Sequence, residues 1–181
     1  LKYQEINMRN NVEKKKIKKQ NVMQKYDLIT KEPIFQKFKT NNKQLYKQNI
    51  DLRNAVLRKP LKKLITSDEM MVEQNNQFYG ITINDTLVAT FSSYPKDSDM
   101  VRLVSFAVDA QHQQQGLGSR LLSWAIDDFR KQGYYRVSLS ARASAHNFYL
   151  KQGFKDTREP QINHYLNVVD FEMQYIIPTR D

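Results

Sequence analysis

Two glycines one residue apart, Gly116 and Gly118, lie in the stretch "QHQQQGLGSRLL" (Gln111–Leu122) of a chain that has only five glycines. They mark the junction between an apolar run ending at Val108 and a strongly periodic segment that begins at Leu117. A strand that passes through a Gly-x-Gly turn straight into a helix gathers several unpaired backbone N–H groups in one concavity. Those donors, with the positive end of the helix dipole, make a seat for an anion, and phosphate suits it best. Spacing excludes two other phosphate motifs. The dinucleotide fingerprint needs a third glycine where this chain has Leu121, and the P-loop needs a Gly-Lys-Ser/Thr triplet that does not occur. What remains is Gln-x-x-Gly-x-Gly at Gln113, Gly116 and Gly118, which taken alone is equally compatible with a tight turn that needs no ligand.

Other chemistries are closed by composition. The chain has no cysteine, so it has no disulfide framework, thiolate metal site or cysteine nucleophile. Its three histidines, His112, His146 and His164, are scattered and form no metal-ligand cluster, so no metal is expected. A reducing, cytoplasmic setting is the corresponding expectation, with no membrane span and no secretory h-region. The formal net charge of +10 suggests a polyanion partner until it is divided along the chain. Residues 1–63 carry 18 Lys and Arg against 5 Asp and Glu, while residues 64–181 carry 11 against 14. The basic excess therefore belongs to the N-terminal third, and the part around the glycine turn is mildly acidic.

The elements that must position this turn can be read from periodicity. Residues 1–26, with "EKKKIKKQ" at Glu13–Gln20, form a Lys/Gln/Asn-rich extension with neither a helical stripe nor strand alternation. A domain of residues 27–181 follows. It begins with a short strand at Leu28–Thr30 or Ile34–Phe38, then a helix over Lys43–Leu57 with Leu45, Ile50, Leu52 and Val56 inward, ended by Pro60. "SDEMMVEQNN" reads as a short helix or loop. A meander follows at Gln77–Ile83, Leu87–Tyr94 and Val101–Val108, with its first turn at Asn84-Asp85-Thr86. After the glycine turn comes a helix whose apolar face is Leu117, Leu121, Trp124, Ala125 and Phe129, capped at Gly133. A strand at Tyr135–Leu139, a second helix in "RASAHNFYLKQ" capped by Gly153, and one or more strands over Ile162–Ile177 complete an α/β chain around one mixed sheet.

With these elements in place, "FAVDAQHQQQGLGSRLL" resembles the acetyl-CoA-binding motif of the GNAT superfamily of N-acetyltransferases. About thirty residues later "ARASAHNFYLKQGF" (Ala141–Phe154) is similar to that superfamily's later helix, Ala-x-x-x-Tyr-x-x-x-Gly-Phe, here Ala145, Tyr149, Gly153 and Phe154. "LRNAVLRKPL" at Leu52–Leu61 resembles the first helix of small bacterial members. The resemblance covers roughly residues 27–177. It implies a GNAT-like α/β fold: a mixed, mostly antiparallel central sheet with splayed fourth and fifth strands, flanked by helices on both faces.

The resemblance also implies roles. Gln113, Gln114, Gln115, Gly116, Leu117, Gly118 and Ser119 would wrap the coenzyme A pyrophosphate, mostly through backbone N–H groups. Phe106, Ala107 and Val108 would pair with the pantetheine arm as a false extra strand. Tyr149 would protonate the departing thiolate. Arg142 stands where many members have a cofactor-contacting asparagine, and an arginine there could reach a phosphate instead. Asn147 and Lys151, one turn apart, are further candidates for pantetheine and phosphate contacts.

The implied reaction passes an acetyl group from acetyl-CoA, as cosubstrate, to an amine on a small molecule or peptide. The absence of a cysteine nucleophile favours direct attack in a ternary complex. A backbone N–H near Val108 would stabilise the oxyanion. A phenol with its ordinary pKa of ~10 stays protonated at neutral pH and can donate. A lysine-like amine needs help losing its proton, and the fourth strand offers no carboxylate after Asp99. Asp68, Glu69 and Glu73 before the meander could border the acceptor pocket, as could His164 in "QINHYL". His112 and His146 are expected to be exposed, and Trp124 to be core. The alternative is a non-catalytic, coenzyme A-binding GNAT-like module whose basic arm binds nucleic acid or another polyanion. Nucleic acid is not the expected partner of the leading reading, and a homodimer is left open.

Overall fold

The computed structural model describes residues 32–179. The basic extension assigned to residues 1–26, and the alternative first strand at 28–30, lie outside the described residues. The first strand described, β1, is Ile34–Phe38. Helix α1 follows at Lys43–Arg53, its N-terminus capped by the Asn42 side chain, which accepts from the Leu45 N–H at 3.1 Å. It continues as a π-helical turn over Asn54–Arg58 and a 3-10 turn over Lys59–Leu61, where Pro60 belongs. The sequence reading expected one helix to Leu57 with Leu45, Ile50, Leu52 and Val56 inward. Leu52 is buried, and Leu45, Ile50 and Val56 are half-buried against the same cluster, but the other fully buried positions of the helix are Tyr46, Asn49 and Arg53. Polar Asn49 and Arg53 are tolerated inside because distant segments supply their hydrogen-bond partners.

"SDEMMV" forms a short helix, α2, at Ser67–Val72, opened by a capping box between Thr66 and Glu69. The meander is β2 (Gln77–Ile83), β3 (Thr86–Pro95) and β4 (Met100–Val108). Asn84 and Asp85 both take positive φ, 50° and 60°, as the two-residue hairpin turn between β2 and β3 requires. Helix α3 (Leu117–Lys131), β5 (Arg136–Arg142) and α4 (Ala143–Lys151) come next. Then follow the short strands β6 (Lys155–Asp156) and β7 (Gln161–Asn163), and finally β8 (Val168–Ile176).

The strands lie in the order β1-β2-β3-β4-β5-β8-β6, with β7 also paired to β8. Only β4 and β5 run parallel; every other pair is antiparallel. This is the one mixed sheet expected from periodicity, and its mostly antiparallel order is the one the resemblance implies. Strand alternation divides the core into two faces. Tyr79, Ile81, Val101, Leu103, Val137 and Leu139 pack with Leu117, Leu121, Leu122 and Phe129 of α3 and with Tyr149 of α4. On the opposite face Phe38, Phe78, Leu87 and Ala107 pack with Tyr46 and Leu52 of α1. The expected α3 face is borne out, with Trp124 half-buried at its edge against Phe35 and Tyr79. No helix among the described residues is long and apolar enough to cross a membrane.

Candidate active site

Strands β4 and β5 pair only at their beginnings, through Met100↔Arg136, Val101↔Val137 and Arg102↔Ser138. Beyond that point they part, while β4 stays bonded to β3 through Ala107 and Val108. The β4 edge from Leu103 to Val108 therefore faces a fork instead of a neighbouring strand. Here the β3–β4 register shifts, two residues of β4 standing where β3 has one. Ser105 takes a left-handed φ of 60° in this bulge. Phe106, Ala107 and Val108 thus lie on the open edge of the fork, where the resemblance placed the pantetheine arm.

Ser105 is held from below. The Arg53 guanidinium donates to Ser105 Oγ at 3.2 Å, to Asn49 Oδ1 at 3.0 Å and to Glu73 Oε1 at 2.8 Å. Tyr46 donates to the same Glu73 oxygen at 2.8 Å, and Asn49 donates to Thr90 Oγ1 at 2.8 Å. Burial and the Glu73 carboxylate push the Tyr46 phenol well above its ordinary value. Glu73 was considered for the acceptor pocket; it is buried, and both contacts are to the α1 network. Its position in sequence carried no sign of that pairing.

At the mouth of the fork, Asp109 caps a 3-10 turn over Ala110–His112. The loop then turns through Gln114 (φ 61°) and Gly116 (φ 76°) into α3. The first intrahelical bond is Arg120 N–H to Gly116 C=O at 3.0 Å. The backbone N–H groups of Gln113, Gln114, Gln115, Gly116, Leu117, Gly118 and Ser119 make no hydrogen bond to the described residues. Seven consecutive unpartnered donors leading into a 15-residue helix have the chemistry that could hold an anion. Gly118 has a second constraint: a Cβ there would meet Phe106, Phe148 and Val108 at 3.4–3.5 Å, so the helix starts almost in contact with β4 and α4.

Side chains fasten this loop rather than reach for a ligand. Gln113 Nε2 donates to the Val108 carbonyl at 3.0 Å, and Gln115 Nε2 to the Gln111 carbonyl at 3.0 Å. Ser119 Oγ accepts from Gln152 at 3.0 Å, which ties the end of α4 to the first turn of α3. Gln152, one turn beyond Phe148, was not singled out from sequence, although that spacing places both on one helix face.

Tyr149 lies in the fork wall, 5% exposed, its ring edge-on to Phe106, Phe148 and Phe154. Burial pushes its phenol well above the ordinary value of 10.0. Its hydroxyl makes no hydrogen bond to the described residues, so its proton is uncommitted. Asn147 and Lys151 are exposed on the same helix.

The remaining candidates fall on the α1 side. Among the described residues, the one hydrogen bond of the Arg142 guanidinium goes to the Leu57 carbonyl at 2.9 Å, in the π-turn, and not to the 113–119 loop. Glu69 closes the capping box of α2 and pairs with Arg58. Asp68 is exposed in the same first turn. His164 was read as a strand position; it is exposed in the turn between β7 and β8. His112 and His146 are half-buried rather than exposed, because each is held by an aspartate: Asp109 at 2.7 Å and Asp156 at 2.8 Å. His146 also stacks on Phe171, centroids 4.0 Å apart. A further cluster joins the strands just below the fork. Arg102 of β4 pairs with Glu172 of β8 and donates to Ser140 of β5 at 2.6 Å. Burial alone would raise the Glu172 carboxyl, but hydrogen bonds from Arg102 and Ser140 outweigh it and hold the group below the ordinary range.

Comparisons with known proteins agree with this geometry. The family model described as Acetyltransferase (GNAT) family matches residues 43–154, which include both glycine turn and Tyr149. A curated relative from Staphylococcus epidermidis (strain ATCC 12228 / FDA PCI 1200), described as an uncharacterized N-acetyltransferase, is 29% identical over 99 residues. That match spans 48% of this chain and 64% of the relative, so it leaves about a third of the relative's length uncovered. Among solved structures, the ribosomal-protein-S18-alanine N-acetyltransferase from Escherichia coli superposes with a TM-score of 0.69 at 19% identity, over 83% of this chain and 97% of that one. An aminoglycoside 6'-N-acetyltransferase complexed with coenzyme A gives 0.68 at 18% identity, over 82% and 99%. At such identities these likenesses speak for the fold.

Proposed function

The chain belongs to the GNAT family of acetyltransferases, and from that premise we propose that it transfers the acetyl group of acetyl-CoA directly to an amine in a ternary complex. The observation that carries the reading is the row of seven backbone donors, unpartnered in the described residues, at the mouth of the β4–β5 fork. Gln113 to Ser119 would hold the pyrophosphate, and the open β4 edge at Phe106, Ala107 and Val108 would hold the pantetheine arm. The coenzyme A bound by the structurally similar aminoglycoside acetyltransferase is consistent with that assignment.

Bound acetyl-CoA would supply an activated acyl carbon; the rest falls to side chains and backbone. Tyr149 keeps its proton because burial disfavours the phenolate, so it is available to a departing thiolate. The apolar wall of Phe106, Phe148 and Phe154 lowers water access and strengthens any charge stabilisation by β4 amides. The amine would approach from the α1 side, between the π-turn and the face of β5 that carries Ser138, Ser140 and Arg142. Two measurements test this: a melting-temperature rise with acetyl-CoA, and free-thiol release across a panel of amines. No rise at a saturating concentration would refute the cofactor assignment of the 113–119 loop.

A further inference from the structure

Arg142 ends β5 and immediately precedes α4. Along β5, Val137, Leu139 and Ala141 enter the core under α3 and α4, so Ser138, Ser140 and Arg142 face the α1 side. Its guanidinium is half-buried there, yet among the described residues only one of its five donors is used, by the Leu57 carbonyl. The next residue, Arg58, brings a second guanidinium to the same end of the fork. Arg58 spends Nη2 on Glu69, while its Nη1 is buried and has no partner among the described residues. Asp170, opposite Arg142 in the β5–β8 register, is the nearby acid, and it also accepts from Asn163 at 2.9 Å. Burial first, and the charge of Arg58 second, disfavour the charged form of Arg142, with Asp170 offsetting part of this.

A half-buried cation beside a like charge is costly unless an anion completes it. The planar fork of a guanidinium matches the two oxygens of a carboxylate. The phosphate seat at 113–119 opens α3, which packs on the opposite face of the sheet, so Arg142 is turned away from it. Resting on the acetyltransferase reading, we propose that the amine acceptor also carries a carboxylate, held by Arg142 with Arg58 behind it at the α1 end of the β4–β5 fork. The acceptor class is then an amino acid or a similar amine with a nearby carboxylate.

The test uses the full chain. α-Amino acids are each compared with their own carboxamides as acceptors, by thiol release. The carboxylate member is expected to have a kcat/KM higher by about tenfold to a hundredfold, as loss of a charged hydrogen-bond partner implies. Equal or better turnover of the carboxamides would overturn the proposal. A binding readout needs no turnover: N-acetyl amino acids are expected to raise the melting temperature of the coenzyme A complex, and Arg142→Met to lose that rise while keeping the rise caused by coenzyme A. If Arg142→Met instead loses the coenzyme A rise, Arg142 serves the cofactor and the proposal fails. If that variant does not fold, the carboxylate–carboxamide comparison on the unmodified chain decides alone. A parent chain that shows no coenzyme A rise would overturn the acetyltransferase reading, and this inference with it.

Discussion

Arg53 on α1 and Ser105 in the β4 bulge are joined by a 3.2 Å hydrogen bond from Nη2 to Oγ, across 52 residues of sequence. The bond links a buried ion pair, Arg53–Glu73 at 2.8 Å, to the one residue of β4 with left-handed backbone. The bulge lies beyond the last β4–β5 bridge, on the open stretch of β4, so α1 braces the edge on which a cofactor arm would lie. Arg53→Met would leave the Glu73 charge buried and uncompensated. The expected loss is about 3–5 kcal/mol of folding stability, read from urea unfolding. Ser105→Gly, which relieves the positive φ but removes the bond, is expected to cost far less. An Arg53→Met chain as stable as the parent would show that the network does not brace the bulge.

Tyr149→Phe removes a hydroxyl that makes no hydrogen bond to the described residues, so stability is expected to change by less than about 0.5 kcal/mol. Turnover, by contrast, is expected to fall about a hundredfold or more, as for loss of a general acid. Because burial raises the phenol above 10.0, the parent is not expected to lose rate through Tyr149 ionisation between pH 7 and 10. Both expectations are checked by thermal melts and by a pH–rate profile on an accepted amine.

The two glycines of the loop are expected to respond differently. Gly116 has φ 76°, so Gly116→Ala should cost about 1–2 kcal/mol. Gly118 is helical, and its Cβ would meet Phe106, Phe148 and Val108 at ordinary contact distance. Gly118→Ala should therefore keep or raise the melting temperature, and under the proposed function it should weaken coenzyme A binding, because the added methyl stands against Phe106 and Val108 on the edge proposed for the pantetheine arm. Calorimetric titration with coenzyme A separates the two effects.

Glu172 is held below its ordinary value of 4.5 in the folded chain, chiefly by hydrogen bonds from Arg102 and Ser140 that overcome its burial. A depressed carboxyl contributes stability above its unfolded pKa and loses it as pH falls through the folded value. The parent should therefore lose stability as pH drops below about 4.5, and Glu172→Gln should show a shallower loss over that range. Melting temperatures from pH 6 to pH 3 give the comparison. Parallel curves for the two chains would rule out this contribution.

Local signals in the sequence determined much of the architecture. Alternation placed β2, β3 and β4 within a residue or two, Asn84-Asp85 marked their turn, and the Gly-x-Gly junction located the row of free amides. Apolar periodicity selected the buried face of α3 correctly because one helix face packs on one sheet face. The tertiary structure decided what depends on partners far apart in the chain. Arg53 is inside only because Glu73, twenty residues on, meets it. The Ser105 bulge and the point where β4 leaves β5 have no local signature, since both come from strand register. Arg142 matched a cofactor position by motif, yet its guanidinium turns to Leu57, 85 residues away, a direction set by the face of β5 it occupies. His164 moved from strand to turn because β7 is only three residues long. Backbone chemistry follows short-range pattern, whereas the direction of a charged side chain is chosen by whichever distant group can satisfy it.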